Sequence, residues 1–382
     1  MSLRHLGQHI AEIFRPVPSP SAAEITAHFD GQTAHVQVGP HGFFLRSDYP
    51  GTLQHPTFDF ALIGAVCIGL SHNINLRTDL PMSRQTVEAM QRLIFLMTLW
   101  VPRKIYPITL TCTNIVDLPP RDATDGIFCY SGGVDSSFSA LTLQDELSLT
   151  HGVLIAGADY PDAADPRFQI LNARARDFAA LMDFELFTME TDLRRCGIEW
   201  NMLHLPFMSM CMTFHQSAFA HCLISADMVP ATEMAYHPWS NNGPTATALS
   251  TPQFPLHHGG NTVFRSQKVA ALARDPRDLL AGLSICFSTN AHGLNCGKCE
   301  KCTRTRLNLL TQGLELPHLF AENPDLIGHL AKLKLPPTQV RTIRAMSWVM
   351  DNEFHMPPGP IKDAVVAYRQ RLRASVMPRG RI

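Results

Sequence analysis

Between residues 126 and 189 short apolar runs alternate with helical stretches, and this pattern constrains the fold more than any other feature of the chain. Gly126-Ile-Phe-Cys-Tyr130 reads as a strand, Ser131-Gly132-Gly133 interrupts it, and a helical stretch follows from Asp135 to about Leu147. Val153 to Ala158 reads as the next strand. Arg167 to Met182 carries Phe168, Leu171, Ala175, Phe178 and Met182 at helical spacing, and Phe184 to Met189 returns to strand. Parallel neighbours need a crossover, so strand, helix, strand, helix, strand predicts an α/β fold: a parallel sheet with helices on its faces.

The flanking segments read differently. Ile25 to Phe29 and Ala34 to Val38 alternate about an Asp30-Gly31 turn, which predicts a hairpin, with a further strand over Gly42 to Arg46. Phe58 to Leu70 and Ser83 to Trp100 look helical, the second with Ser83 as N-cap and Pro102 as stop. Residues 1–120 are therefore expected to form a separate α+β domain, joined through the turn-rich Leu118 to Asp125. Beyond Met189 the sequence predicts a helix over Met208 to Ser225, a strand over Met228 to Ala235 and a long loop from Tyr236 to Asn261. The expected domains are 1–120, 121–315 and a helical extension over 316–382, with helices near 324–334, 337–353 and 360–375.

Composition narrows the function. With 382 residues the chain is long enough for two to three domains of roughly 150 residues. Its 32 Lys and Arg balance 33 Asp and Glu, and charged residues make up only 17%, which argues against wholesale electrostatic binding of nucleic acid and leaves a local basic patch open. The one notable charge cluster, Lys362, Arg369, Arg371, Arg373, Arg379 and Arg381 against Asp363, reads equally as a solvated helix end or as a nucleic-acid or partner contact. The longest apolar run, Phe60 to Leu70, is too short to span a bilayer, and Met1 to Pro16 lacks the continuous apolar stretch of a secretory signal, so a cytoplasmic protein is expected.

Two motifs carry the chemistry. Ser131-Gly132-Gly133-Val134-Asp135-Ser136-Ser137 sits where a strand gives way to a helix, at the carboxyl edge of the expected sheet. Adjacent glycines let the backbone approach an anion, and the helix N-terminus supplies positive potential without a lysine, so the heptad reads as a phosphate cradle. It matches neither Gly-x4-Gly-Lys-Ser/Thr nor Gly-x-Gly-x-x-Gly. Cys286, Cys296, Cys299 and Cys302 lie with nine, two and two residues between them, a spacing that lets four thiolates surround one tetrahedral metal. Zinc is the expected ion, with an iron-sulfur cluster as the lesser reading. The other six cysteines, Cys67, Cys112, Cys129, Cys196, Cys211 and Cys222, sit in apolar contexts and read as structural.

The heptad resembles the Ser-Gly-Gly-x-Asp-Ser loop of the ATP pyrophosphatases, or PP-loop family, which cleave ATP between the α and β phosphates. That resemblance implies ATP and Mg²⁺ as cofactors, phosphate contacts from Ser131, Gly132, Gly133, Ser136 and Ser137, Val134 within the same loop, and Asp135 organising Mg²⁺ or the loop. With Cys-Gly-Lys-Cys-Glu-Lys-Cys and Arg304 about 150 residues downstream, the chain is similar over residues 125–315 to the 7-cyano-7-deazaguanine synthases. These convert the carboxylate of 7-carboxy-7-deazaguanine to a nitrile with ATP and ammonia, and they carry a four-cysteine zinc site. Asp159-Tyr160 resembles the family's Asp-Tyr pair, and Lys268 stands where the family has a lysine. Arg265 and Lys268 could also add positive charge at the phosphates, with a solvated helix face as the equal alternative. His257 and His258 read as loop histidines or as bases.

The chain departs from that family in its 120-residue N-terminal segment, in the residues after the zinc motif and in the Tyr236 to Asn261 loop. Extended relatives from anti-phage operons, thought to act on a partner protein, resemble it more closely. The implied partners are a small deazapurine and an operon-encoded protein; oligomeric state stays open. A tRNA-thiolating PP-loop enzyme and a non-catalytic ATP-binding scaffold are the competing readings.

Overall fold

The computed structural model describes residues 18–100, 104–119, 123–230, 232–233, 239–286, 295–336 and 339–376. The strands are β1 (Ser21–Phe29), β2 (Thr33–Val38), β3 (His41–Ser47), β4 (Ile74–Thr78), β5 (Met82–Ser83), β6 (Leu110–Cys112), β7 (Ile115–Val116), β8 (Gly126–Cys129), β9 (Leu149–Ala156), β10 (Glu185–Thr191), β11 (His221–Ser225) and β12 (Leu256–Gly259). The helices are α1 (Asp59–His72), α2 (Arg84–Trp100), α3 (Val134–Leu143), α4 (Pro166–Met182), α5 (Trp200–Thr213), α6 (Gly243–Leu249), α7 (Arg265–Arg274), α8 (Glu300–Leu310), α9 (Leu326–Lys332), α10 (Gln339–His355) and α11 (Pro360–Val376).

Ten strands form one sheet in the order β12-β11-β8-β9-β10-β3-β2-β1-β4-β6. From β8 to β12 every pairing is parallel. The chain leaves β8 for β9 on one side and returns to β11 on the other, which opens a crevice at the carboxyl end of β8. Along β8 the side chains alternate: Ile127 joins one core with α1 and α5, and Phe128 joins the other with α4. Glycine is required at 157, just after β9, because φ is +95° and a Cβ would stand 1.7 Å from the Thr191 carbonyl.

The hairpin of β1 and β2 forms as expected, its turn fixed by Asp30, whose side chain accepts the amides of Gln32 and Thr33. Apart from the short parallel pair β5–β7, the amino-terminal strands do not form a sheet of their own. β3 pairs antiparallel with β10, with Met189 opposite Ser47 and Thr191 opposite Leu45, so the amino-terminal segment extends the parallel sheet. Helix α1 is apolar all round and is buried on all sides from Asp59 to Leu70, packed in one core that draws on residues from both segments. Ser83 caps α2 as expected, its hydroxyl accepting the Thr86 amide.

Three further expectations are corrected. The stretch Met208 to Ser225 is the end of α5 followed by β11 rather than one helix; α5 begins at Trp200 and keeps Pro206 inside it. The Pro206 ring removes a backbone donor without ending the helix, and the Met- and Phe-rich run around it has no period to mark the boundary. Where a strand was expected from Met228, the amides of Thr232 and Glu233 bond to the Val229 carbonyl in a helical turn, and residues 231 and 234–235 lie outside the described ones. The expected loop from Tyr236 to Asn261 contains α6 and β12. Among the described residues no helix is long and apolar enough to cross a membrane.

Candidate active site and metal centre

The glycine turn stands at the crevice of β8. Gly132 has φ +68°, a left-handed conformation that side chains resist, and its carbonyl accepts the Ser284 amide at 2.8 Å. Gly133 is the N-cap of α3, so the amides of Val134, Asp135 and Ser136 belong to a first turn that has no intrahelical acceptors. Ser136 shapes the loop: its hydroxyl donates to the Gly133 carbonyl and accepts the Ser131 amide, both at 3.2 Å. Ser137 is fully buried and its hydroxyl meets Tyr130 Oη at 3.4 Å beneath the loop.

A cleft opens over this turn. Ser131, Gly133, Val134 and Asp135 line it from the loop, Asp159 and Tyr160 from beyond β9, and Arg265, Lys301 and Arg304 from α7 and α8. Ser136 and Ser137 do not line it, since their hydroxyls are turned into the protein. Asp159 is exposed, whereas Tyr160 is buried against Phe168 with the Arg167 guanidinium 5.3 Å from its ring.

The charges converge on one carboxylate. Lys268 Nζ donates to Asp135 Oδ1 at 3.1 Å and to the Ala226 carbonyl at 2.6 Å, and Arg265 Nη1 donates to Asp135 Oδ2. Burial pushes the Asp135 carboxyl up, but the charges of Arg265, Lys268 and Arg304 together outweigh it and hold the group at about 2. Asp135 is therefore ionised at neutral pH. Lys268 is only 1% exposed, so its place in a solvated face is ruled out by burial.

Arg304 and Asp227 complete the cleft, and the sequence pointed to Arg304 only as a neighbour of the cysteine motif and to Asp227 not at all. His257 and His258 fall on β12 outside the cleft lining; burial pushes His258 down to about 4, and its Nε2 lies 2.8 Å from Asn241 Oδ1. In the carboxy-terminal basic cluster, Arg371 caps the end of α9 through the carbonyls of Leu330, Ala331 and Leu333, Arg369 pairs with Glu353, and Lys362 donates to the Met356 carbonyl. Arg379 and Arg381 lie outside the described residues.

The four cysteines of the motif come together. Sγ of Cys286 lies 3.3 Å from Cys296 and 3.5 Å from Cys299, Cys296 lies 3.8 Å from Cys302, and all four sulfurs fit within 4.8 Å. Four thiolates at about 2.3 Å from one zinc stand about 3.8 Å apart, whereas a disulfide would bring two to about 2.05 Å, so the spacing is that of a group that could hold one tetrahedral metal ion and not of a pair of bridges. Local structure builds it. Gly297 has φ +79°, and a Cβ there would fall 1.6 Å from the Glu322 carbonyl. The Cys299 amide donates to Cys296 Sγ at 3.3 Å, and Cys299 caps α8, whose positive end faces the sulfurs. Asn295 is buried and staples the two ligand segments: Oδ1 accepts the amides of Ile285 (2.8 Å) and Cys286 (3.3 Å), and Nδ2 donates to the carbonyls of Leu283 and Leu319. Cys286 also lines the cleft, so the cysteine cluster forms part of its wall.

No family model matches the chain, and neither a curated protein nor a solved structure matches it.

Proposed function

We propose that the cleft binds MgATP by its phosphates and transfers AMP to a carboxylate, in the manner of the PP-loop enzymes that the heptad resembles. The carboxylate oxygen attacks the α-phosphorus, the bond to the bridging oxygen of the β-phosphate breaks, and pyrophosphate leaves with the electron pair. An amine then displaces AMP and releases a proton, forming an amide; where the amine is ammonia, a second transfer of AMP to the amide oxygen lets that oxygen leave with AMP and two nitrogen-bound protons depart, giving the nitrile. The substrate implied by the resemblance is 7-carboxy-7-deazaguanine or a related deazapurine, and the amine is ammonia or that of a partner protein.

The observation that carries this reading is the meeting of Arg265 and Lys268 on Asp135 at the first turn of α3, with Arg304 beside them. Fixed cations and free amides beside a leaving diphosphate stabilise the charge that develops there without reorganising. Asp159 and Asp227 line the same cleft and offer the oxygen ligands that Mg²⁺ prefers, while Asp135 holds the two cations beside them. The cleft over the loop has a volume of about 140 Å³ and opens to solvent.

The metal centre serves structure in this reading. Four thiolates leave no open coordination position, and zinc there would hold α8 and the 284–286 segment against the loop. A thiolation mechanism needs a thiolate outside the cluster, but burial pushes the thiols of Cys112 and Cys196 up to about 11 and that of Cys129 up to about 12, and raises Cys67, Cys211 and Cys222 as well. The deciding experiment incubates the purified protein with ATP, Mg²⁺ and 7-carboxy-7-deazaguanine. AMP and pyrophosphate are expected; ADP and phosphate, or no turnover with any carboxylate together with no ATP binding, would overturn the proposal.

A further inference from the structure

The carboxy-terminal helix α10 reaches the helix that carries the cations. Asp351 Oδ2 accepts the Ser266 amide at 3.1 Å and Oδ1 accepts the Ser266 hydroxyl at 2.6 Å. Both residues are buried. Ser266 is the second residue of α7, so its amide is among those the helix cannot satisfy, and the positive end of the helix favours a carboxylate there. Asp351 is thus a cap supplied by another element, 85 residues away.

The turn it holds is the one that presents the cations, because Arg265 immediately precedes Ser266 and Lys268 follows two residues later. Next to Asp351, Asn352 accepts from Asn308 Nδ2 at 3.0 Å, which ties α10 to α8, the helix of Cys302 and Arg304. Asp227, Arg265 and Arg304, which wall the loop cleft, also wall a second recess whose far side is Ser347, Trp348 and Asp351 of α10. His355 Nδ1 lies 3.0 Å from Asp351 Oδ1 and 3.2 Å from Ser266 Oγ. The carboxylate touches serine and histidine alike, so the histidine does not stand between them as in a hydrolytic triad, and Ser266 is fully buried.

We propose that Asp351 is a positioning residue: it fixes the first turn of α7, thereby places Arg265 and Lys268 at the phosphate loop, and makes the carboxy-terminal extension part of the anion site. This rests on the reading of the cleft as a diphosphate site.

The test uses the full-length, metal-loaded protein with inorganic pyrophosphate as probe. Calorimetry should show affinity falling about tenfold in Asp351→Asn, the effect of losing a good cap on a loop that must be held in place. Amide hydrogen exchange should rise in residues 264–270 and 131–137. The comparator is Val349→Ala, fully buried in the core of the carboxy-terminal helices, which should lower the melting temperature at least as far and leave affinity and exchange at α7 unchanged. Ser266→Ala, which keeps the amide bond, should shift both readouts in the same direction but less, and serves if Asp351→Asn does not fold. Affinity that tracks melting temperature in every variant, or unchanged exchange at α7 in Asp351→Asn, would overturn the proposal. Should the unaltered protein bind no pyrophosphate, the diphosphate reading falls, and exchange at α7 alone decides the role of Asp351.

Discussion

Lys268 donates to the Asp135 carboxylate at 3.1 Å across 133 residues of sequence, and through that bond the first turns of α3 and α7 share one negative charge. Arg265 occupies the other oxygen of the same carboxylate.

Because Asp135 compensates two cations, the two sides of this cluster should respond unequally to substitution. Asp135→Asn takes from the buried Arg265 and Lys268 the carboxylate to which both donate and should cost about 3–5 kcal/mol in urea denaturation. Lys268→Met keeps the Arg265 pair and much of the side-chain volume, so it should cost less than half of that. Pyrophosphate release should drop at least about a hundredfold in both, the scale of losing one fixed stabilising group. Equal or reversed stability losses would show that Asp135 is not the shared counter-charge.

Acid should unfold the protein in two separable steps. Burial pushes His215 down to about 3 and His55 to about 4, while unfolded histidine titrates near 6.5. The unfolded state therefore takes up these protons first, and stability falls as pH drops from 6.5 toward 4 by up to about 1.4 kcal/mol per pH unit for each histidine. Asp135 acts lower: its folded value of about 2 lies under the usual 3.8, so its stabilisation of about 2 kcal/mol is complete above pH 4 and is lost between 4 and 2. Denaturation midpoints measured against pH should flatten in the upper window for His215→Gln and in the lower window for Asp135→Asn.

Metal removal should be a folding event. The purified protein should carry one zinc per chain by elemental analysis, and a strong chelator should lower the melting temperature and expose the segment around α8 to protease, because close-packed thiols without a cation cannot all ionise. Full stability after verified zinc loss would refute the structural role.

The residues around the ligands should matter nearly as much as the ligands. Asn295→Ala removes both acceptor and donor from the staple between the two cysteine segments and should weaken zinc binding about 10- to 100-fold in competition with a chromogenic chelator. Gly297→Ala should be worse, since the new methyl would meet the Glu322 backbone, which cannot swing away as a side chain could. An Asn295→Ala protein with unaltered zinc affinity would leave the staple without function.

Local pattern carried much of this molecule. The alternation from Gly126 to Met189 is enough to specify β8, α3, β9, α4 and β10, because crossover units place period-two and period-3.6 stretches in series. The glycines of 131–137 and the three cysteines of 296–302 are equally legible, since a left-handed turn and a metal knuckle are built from neighbours in the chain. The Met208 to Ser225 stretch was not: continuous burial erases periodicity, and Pro206, a residue that by type marks a helix end, sits inside the helix.

Contacts made over long stretches of chain left no such trace. The pairing of β3 with β10 turns an expected neighbouring unit into an extension of the sheet, and no residue of either strand announces its partner, because backbone hydrogen bonds are the same for every sequence. The roles of Arg304, Asp227 and Asp351 likewise arise only when α7, α8 and α10 close over the loop, bringing charges separated by tens of residues to within a few ångströms. Residue type and spacing suffice where the chemistry is local; the selection among solvated lysines and arginines of the few that serve the cleft depends on burial, and burial exists only once the chain has folded.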